Sequence, residues 1–384
     1  MGAMDKLYIK RTCPRCNKEF YPGDCDIVSS AIDPATNTYR VLKAAPKSGL
    51  RQQAARINPT PINRDLVLEL AHRKCMYCDY LLPSNIELVE NINIAIVGDV
   101  SSGKSHYIAA LIHQIQKGDL QRADRFASLD CMTQDVENIY VRDVMQPLFK
   151  DKQSPPPTPQ AVDINREPLI YELILTPSPE YPSRHINLIL YDVSGEDLAV
   201  KERMVRYSRY VFSASAIIFL ADPISMPQIY DLLPPFLQNQ VATGRTSSSV
   251  LTSIIRLLKD FRGYDAAAQL ASIPIAITLT KSDLLKQLTT VQQQYHFLKR
   301  PVYNGTIDLR DLDIVDREVR QLLTDYGERM LLQATYNFSK VKFFAASATG
   351  YAPDGNGIYP AVDPCRCLDP ILWILHQLKI LHAA

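Results

Sequence analysis

The chain has 384 residues, 46% hydrophobic and 22% charged, with a formal net charge of +1. Such a chain can bury a large core in roughly two to three domains, and its near-neutral balance argues against bulk-charge nucleic-acid binding and against acidic disorder. No apolar run reaches the ~18 residues of a membrane span and neither end shows a secretory or prenylation pattern, so we expect a cytoplasmic protein with no membrane partner.

The first segment, to about Pro83, is rich in Cys, Pro and Asn and weakly periodic. It carries two C-x-x-C pairs, Cys13-Pro14-Arg15-Cys16 and Cys75-Met76-Tyr77-Cys78. Each turn can aim two thiolates at one tetrahedral Zn²⁺, with Zn–S near ~2.3 Å. The similar tails, CNKEFYP and CDYLLP, support pairing of the two knuckles. The long stretch between them, Phe20 to Lys74, then forms an insertion, tolerable because loop-closure entropy grows only logarithmically. Four cysteines close the coordination sphere, so the expected zinc is structural, in a ribbon domain over residues 1–85. The plainer alternative is four reduced thiols, and Cys25 sits at the wrong spacing to replace a ligand. Arg40, Lys43, Lys47, Arg51, Arg56 and Arg64 lie between the knuckles with little aromatic interleaving, which reads as solvated surface rather than an RNA groove.

Residues 92–106, INIAIVGDVSSGKSH, carry the strongest signal. An apolar, β-branched run, Ile92–Val97, breaks at Gly98, and G-x-x-x-x-G-K-S follows before a helical stretch, Lys104–Gln116. This is a strand, a phosphate-cradling loop and a helix N-terminus. Gly98, Asp99, Ser101, Ser102, Gly103, Lys104, Ser105 and His106 form the expected cradle. Main-chain N–H groups face phosphate oxygens, Lys104 neutralises the β/γ charge and the Ser105 hydroxyl ligates Mg²⁺.

Further strand candidates are Leu169–Leu175, Ile186–Tyr191, Ala216–Ala221, Ile273–Leu279 and Val341–Ala346. Helical candidates are Leu198–Phe212, Met226–Asn239, Val250–Phe261, Val315–Phe338 and Pro370–Leu381. Alternating strands and helices favour a mostly parallel sheet covered on both faces. The Leu169–Leu175 and Ile186–Tyr191 runs are joined only by TPSPEYPS, so we expect one antiparallel hairpin at the sheet edge. Two irregular loops stand out, one with SPPPTPQ and one with PDGNG.

Asp192 ends an apolar strand and Gly195 follows in D-x-x-G spacing, which lets a carboxylate address Mg²⁺ while the glycine N–H meets a γ-phosphate. Asp192 or Ser194 capping the next helix is the competing, compatible reading. Thr158, in PPPTPQ, is the candidate third Mg²⁺ ligand, on a loop that orders only with a γ-phosphate present. Thr133 competes for that role, and a polyproline linker is the plain alternative.

The run IPIAITLTKSD ends a strand in Thr280-Lys281-Ser282-Asp283. A carboxylate there can accept from guanine N1–H and N2–H₂, where adenine offers no matching donors. The Lys281 stem can cover base or ribose. A later strand ends in Ser347-Ala348-Thr349, whose main-chain N–H groups can meet guanine O6.

Together these motifs resemble the Ras-like small GTPases of the translation-factor-related class. GDVSSGKS matches the phosphate loop, DVSG the D-x-x-G switch, TKSD the guanine motif and SAT the S-A-K motif, over roughly three-quarters of the chain, Ile92 to Leu381. The resemblance implies an α/β, doubly wound, mostly parallel six-stranded sheet of order two-three-one-four-five-six, with the P-loop GTPase domain spanning residues 86–384. It implies GTP/GDP and Mg²⁺ as ligands, slow hydrolysis with Lys104, Gly195 and Glu196 at the reaction centre, and an effector or regulator protein as partner. A zinc-knuckle pair ahead of such a domain is similar to GTPases of multi-gene bacterial systems, including the double-GTPase families.

The departures from the pattern are specific. Thr280 replaces Asn, Thr349 replaces Lys and Val100 stands where glycine is common. Glu196 stands where a water-orienting Gln is common, and its charge beside a γ-phosphate is unfavourable unless offset. Arg203, Arg206 and Arg209, three apart, read as a solvated helix face. The rival functions are a nucleotide-binding scaffold without turnover, an ATPase with a degenerate base site, and RNA binding through the ribbon.

Overall fold

The computed structural model describes residues 9–45, 62, 70–99, 102–123, 126–155, 167–176, 184–193, 210–238, 246–262, 270, 272–288, 295–303 and 305–381. Two strands, β1 (Arg11–Thr12) and β2 (Glu19–Phe20), pair antiparallel around the first cysteine knuckle. Between the knuckles the chain builds an antiparallel sheet of β3 (Asp26–Asp33), β4 (Thr38–Lys43) and β5 (Ala71–Lys74), in the order β4-β3-β5. These strands have no counterpart in the sequence pattern. β4 buries none of its six residues, so it shows no apolar alternation. Its hairpin with β3 closes on Asn37, at φ 52°, whose N–H donates to the Asp33 carbonyl at 2.8 Å. β5 then delivers the chain straight into Cys75. On β5, buried Arg73 donates to Glu87 at 2.6 Å and to the Cys25 carbonyl at 2.9 Å, tying the small sheet to the segment that enters the large one.

The large sheet contains β6 (Glu90–Gly98), β7 (Phe126–Cys131), β8 (Leu169–Leu175), β9 (Arg184–Val193), β10 (Ala216–Ala221), β11 (Ile275–Leu279) and β12 (Val341–Ala345). Their order is β12-β11-β10-β6-β9-β8-β7. The pairings β12–β11, β11–β10, β10–β6 and β6–β9 are parallel, while β9–β8 and β8–β7 are antiparallel. Among the described residues the sheet therefore has seven strands, one more than the six expected. The expected hairpin is present, but its outer strand β8 is not the edge, because β7 pairs along its far side. β7 reads FASLDC, an alternating stretch with no apolar run. Its pairing carries a register shift between Phe126 and Ser128, which further blurs the signal.

Alternation along β6 sorts its side chains between two cores. Ala95 and Val97 face a cluster with α2 (Ser247–Arg262) and α3 (Leu309–Asp325). Ile94 and Ile96 face a cluster with α1 (Lys104–Gln116) and α4 (Asp369–Gln377). Burial on both faces explains why the parallel strands read as unbroken apolar runs.

Several helices differ from expectation. The stretch Val315–Phe338 is broken at Gly327, φ +77°, into α3 and a short helix Arg329–Ala334. Of the expected helix Met226–Asn239, the described residues, to Gln238, form only single turns, Pro227–Tyr230 and Pro235–Gln238, because Pro234 interrupts it. A helix Gln134–Tyr140 continues into a widened π-helical stretch, Val141–Lys150, around Pro147. Of the expected helix Leu198–Phe212, only Tyr210–Phe212 lie among the described residues, and they are helical. Among the described residues, no helix is long and apolar enough to cross a membrane.

Candidate functional site

β6 ends at Gly98 and α1 begins at Lys104, so the phosphate-loop motif spans the strand-to-helix turn. Gly98 pairs with Leu220 of β10. A Cβ added there would lie 2.5 Å from Ser102 Oγ and 2.8 Å from the Leu220 carbonyl, so the turn has room only for glycine. Gly103 caps α1 in the left-handed region, φ 75° and ψ 24°. Within the loop the Ser102 N–H donates to the Asp99 carbonyl at 3.1 Å. Among the described residues, Ser102 Oγ is buried and has no hydrogen-bond partner. Lys104, Ser105 and His106 occupy the first turn of α1, half-buried. Burial pushes the His106 imidazole down to about 4, with the Lys281 charge adding to the effect. Ser101 and Val100 lie outside the described residues.

β9 runs parallel beside β6 and pairs Asp192 with Ile96, two residues before Gly98. The main chain thus brings Asp192 alongside the phosphate loop. Thr158, Ser194, Gly195, Glu196, Arg203, Arg206 and Arg209 lie outside the described residues, as do Lys47, Arg51, Arg56 and Arg64. The competitor Thr133 is engaged in the fold. Its hydroxyl accepts from the Ile170 N–H at 3.0 Å, beside the start of β8.

The loops after β11 and β12 meet. The Ala346 N–H donates to the Leu279 carbonyl at 2.7 Å, and the Ser282 N–H donates to the Ala346 carbonyl at 3.2 Å. Asp283 is buried and accepts from Ser347 Oγ at 2.5 Å, while Ser347 Oγ accepts from the Gly350 N–H at 2.7 Å. Burial raises the Asp283 carboxyl above the usual range, which the Ser347 bond opposes. A buried carboxylate held by one hydroxyl retains acceptor capacity for further N–H donors. Ala348 and Thr349 follow on the same loop, where the Thr349 carbonyl accepts from the Asp363 N–H at 2.8 Å.

Lys281 adopts a left-handed backbone, φ 52°. A Cβ on Gly103 would come within 4.0 Å of Lys281 Cε, so the Lys281 side chain reaches toward the G-x-x-x-x-G-K-S turn. Thr280, in place of Asn, still ties loops together: its N–H and its hydroxyl donate to the Ala221 carbonyl at 2.9 and 3.3 Å.

At the other end of the chain, the Sγ atoms of Cys13, Cys16, Cys75 and Cys78 all lie within 4.8 Å of one another. The two knuckles share one geometry. The Cys13 N–H donates to the Lys18 carbonyl and the Cys75 N–H to the Tyr80 carbonyl, at 3.0 and 2.8 Å. Asn17 and Asp79, both at φ 56°, close the turns by donating to the Cys13 and Cys75 carbonyls at 2.9 and 3.0 Å. A preformed set of four thiols fits a tetrahedral soft-metal site of the zinc type. Cys25 is buried beside the cluster but is not part of it, and burial pushes its thiol up to about 12.

Residues 92–361, well over half of the chain, match the family model of Double-GTPase 2. The chain belongs to the double-GTPase 2 family. It is also 28% identical over 328 residues to the "Putative ESX-1 scaffolding and assembly protein SaeC" of Mycolicibacterium smegmatis, covering 80% of each chain. Two solved structures are similar. The translation elongation factor SelB of Methanococcus maripaludis, bound to a GTP analogue, is 10% identical at TM-score 0.28, with 77% of this chain and 35% of that chain covered. The GTP-bound GTPase-like domain of Ski7 from S. cerevisiae is 12% identical at TM-score 0.32, with 77% and 51% covered. The chain thus spans about a third and about half of those two chains, and neither likeness adds to the family assignment.

Two residues of this double-GTPase 2 chain matter at the site without having stood out in the sequence. Asp222 is buried at the end of β10, with Oδ2 2.6 Å from Lys281 Nζ and Oδ1 accepting from the Ile224 N–H at 3.0 Å. The signal was an acidic residue closing an apolar strand, the same one that marked Asp192. Arg366, in the PCRC loop, is 1% exposed and donates to Asp311 at 2.6 and 3.1 Å, to Asp369 at 2.8 Å and to the Lys299 carbonyl at 2.8 Å. Its neighbours support both halves of the site. Ser347 and Cys365 exchange main-chain bonds at 3.0 and 2.8 Å, and the Tyr107 hydroxyl of α1 donates to the Cys367 carbonyl at 2.9 Å.

Proposed function

We propose that the chain is a guanine-nucleotide switch that hydrolyses GTP slowly with Mg²⁺, joined to a zinc ribbon that docks a protein partner. The observation that supports this reading is the approach of the Lys281 side chain to the G-x-x-x-x-G-K-S turn, with Lys281 Cε 4.0 Å from a Cβ placed on Gly103. In this reading Lys281 bridges a phosphate cradle and a buried purine-edge acceptor at the two ends of one site. In this reading the main chain from Gly98 to Ser105 and the Lys104 ammonium hold the phosphates. Ser105, Asp192 and Thr158 hold Mg²⁺, which supplies charge neutralisation at the phosphate oxygens. Asp283 reads the guanine edge, assisted by the main chain of Ser347, Ala348 and Thr349. Glu196 replaces a neutral water-orienting group, so turnover is slow. Cys13, Cys16, Cys75 and Cys78 hold structural zinc, and the tip of the second knuckle leaves Met76 and Tyr77 half exposed for a partner. The boundary between ribbon and GTPase domain falls near residues 85–86, and the protein acts in the cytoplasm without nucleic acid.

A second reading, a nucleotide-binding scaffold without significant turnover, is favoured by the description of the SaeC relative as a scaffolding and assembly protein. An ATPase with a degenerate base site is the third.

Calorimetry of the zinc-loaded chain with Mg²⁺ and GDP, GTP or ATP separates them. We expect GDP and GTP to bind, and Asp283→Asn to weaken both at least tenfold while ATP is unchanged. Equal losses for guanine and adenine nucleotides would remove the base-reading role. Uptake of GTP with no phosphate released in a single-turnover assay would favour the scaffold.

A further inference from the structure

The first cysteine knuckle does not project into solvent. Its turn, Pro14 to Asn17, is gripped by three side chains of the GTPase domain. The Tyr191 hydroxyl donates to the Pro14 carbonyl at 2.7 Å and lies 3.4 Å from Asn17 Oδ1. The Tyr210 hydroxyl donates to the Arg15 carbonyl at 3.1 Å. Ser213 Oγ donates to Asn17 Oδ1 at 2.7 Å. Pro14 and Arg15 are the two residues between the ligand pair Cys13 and Cys16, and the Asn17 N–H closes the same turn on the Cys13 carbonyl at 2.9 Å. The three gripping residues therefore touch the metal loop itself.

Where those residues sit in the chain gives the contact its meaning. Tyr191 is on β9, immediately before Asp192, and Tyr210 begins the next described stretch, leading to the turn at Ser213. The two tyrosines, one on each side of the segment that starts with Asp192, pack on one another with ring centroids 4.5 Å apart and planes tilted by 31°. Tyr191 is 3% exposed, so its hydroxyl has exchanged water for the Pro14 carbonyl. The turn beyond Tyr210 is anchored to the phosphate-loop strand in its turn, with the Ser215 N–H donating to the Asn93 carbonyl at 2.8 Å.

We infer that the first knuckle is an internal positioning element of the nucleotide switch. It fixes the entry and exit of the D-x-x-G segment, so metal occupancy of the ribbon and the phosphate state of the nucleotide are thermodynamically linked. Tyr191, Tyr210 and Ser213 are the positioning residues of this link. The inference rests on the guanine-nucleotide reading above. In that reading a Mg²⁺-bound triphosphate engages the segment that begins at Asp192 and so restrains the adjoining Tyr191 and, through their ring contact, Tyr210, and these hold the knuckle in its metal-binding shape. Linkage is reciprocal: whatever the triphosphate adds to zinc affinity, zinc adds to triphosphate affinity.

The test uses the full zinc-loaded chain, saturated with Mg²⁺ and either GDP or a non-hydrolysable GTP analogue, with zinc transfer to a chromophoric chelator as readout. We expect zinc to be held about fivefold or more tightly in the triphosphate state. Tyr191→Phe keeps the ring but loses the hydroxyl, and should bring that ratio close to one while zinc content and GDP affinity stay at the wild-type level. Ser213→Ala should reduce the ratio in the same direction and serves if Tyr191→Phe folds poorly. Equal zinc retention with both nucleotides in the wild type, or an unchanged ratio in both variants, would overturn the link while leaving nucleotide binding intact. A chain that takes up neither nucleotide refutes the guanine-nucleotide reading, and the link with it.

Discussion

Lys281 Nζ and Asp222 Oδ2 lie 2.6 Å apart, an ion pair that joins the ends of two adjacent strands, β11 and β10. The carboxylate side chain is 7% exposed and the ammonium 28%, so solvent screens the pair only in part. With Lys281 at φ 52°, the pair fixes a strained backbone as well as a side chain.

Asp222→Asn removes the charge and keeps the shape. We expect GDP affinity to fall about tenfold, and stability by about 1.5–3 kcal/mol, the range for hydrogen bonds to charged groups. Calorimetry and urea denaturation check both. Unchanged affinity would mean that the Lys281 stem finds its place without Asp222.

The two glycines of the phosphate loop should respond differently to alanine. At Gly98 the new methyl meets Ser102 Oγ and the Leu220 carbonyl, both inside 3 Å. Gly98→Ala should therefore abolish nucleotide binding in a titration. At Gly103 a methyl would meet only Lys281 Cε, at an ordinary 4.0 Å, and φ +75° is the main resistance, so Gly103→Ala should cost about 1 kcal/mol of stability and retain measurable binding.

Arg366 is enclosed with Asp369, which is 2% exposed. Arg366→Met leaves that carboxylate buried without its cation, and should destabilise the chain by about 3–5 kcal/mol in chemical denaturation. An exposed pair such as Arg142–Asp143 should cost nothing measurable when broken.

His106 gives a pH signature in the nucleotide-free protein. Its imidazole is depressed from an ordinary 6.5 to about 4 in the fold, chiefly by burial. Between those values the unfolded chain binds the proton more readily than the folded one. Stability from this group is complete above about pH 6.5 and is lost as pH falls toward 4. His106→Gln should flatten that part of the stability profile, read as thermal midpoints across the same range.

What the sequence displayed and what it hid divide along physical lines. The parallel strands were legible because burial on both faces makes them continuous apolar runs, as in Ile92–Val97. The G-x-x-x-x-G-K-S turn was legible because Gly98 answers a steric demand that no other residue meets and Gly103 takes a left-handed turn that glycine adopts most cheaply. β4 and β7 escaped notice because an exposed or edge strand needs no apolar run, and Gly327 split a helix whose apolar spacing continued past it. At the site, Asp283 and Ser347 were each marked by the strand they close, though not their direct bond. Arg366 was hidden because its partners Asp311 and Asp369 lie on two different helices, and only tertiary packing assembles them. The grip of Tyr191 on the first knuckle was equally invisible, since it joins residues far apart in the chain.

The seventh strand changes how a partner can read one flank of the molecule. β8 has its main-chain groups engaged on both sides, by β9 and by β7. A visiting peptide that seeks to extend the sheet there meets β7 instead, a short strand whose irregular register discourages such templating. Recognition along that border then falls to side chains, and a binding protein must be shaped to fit them.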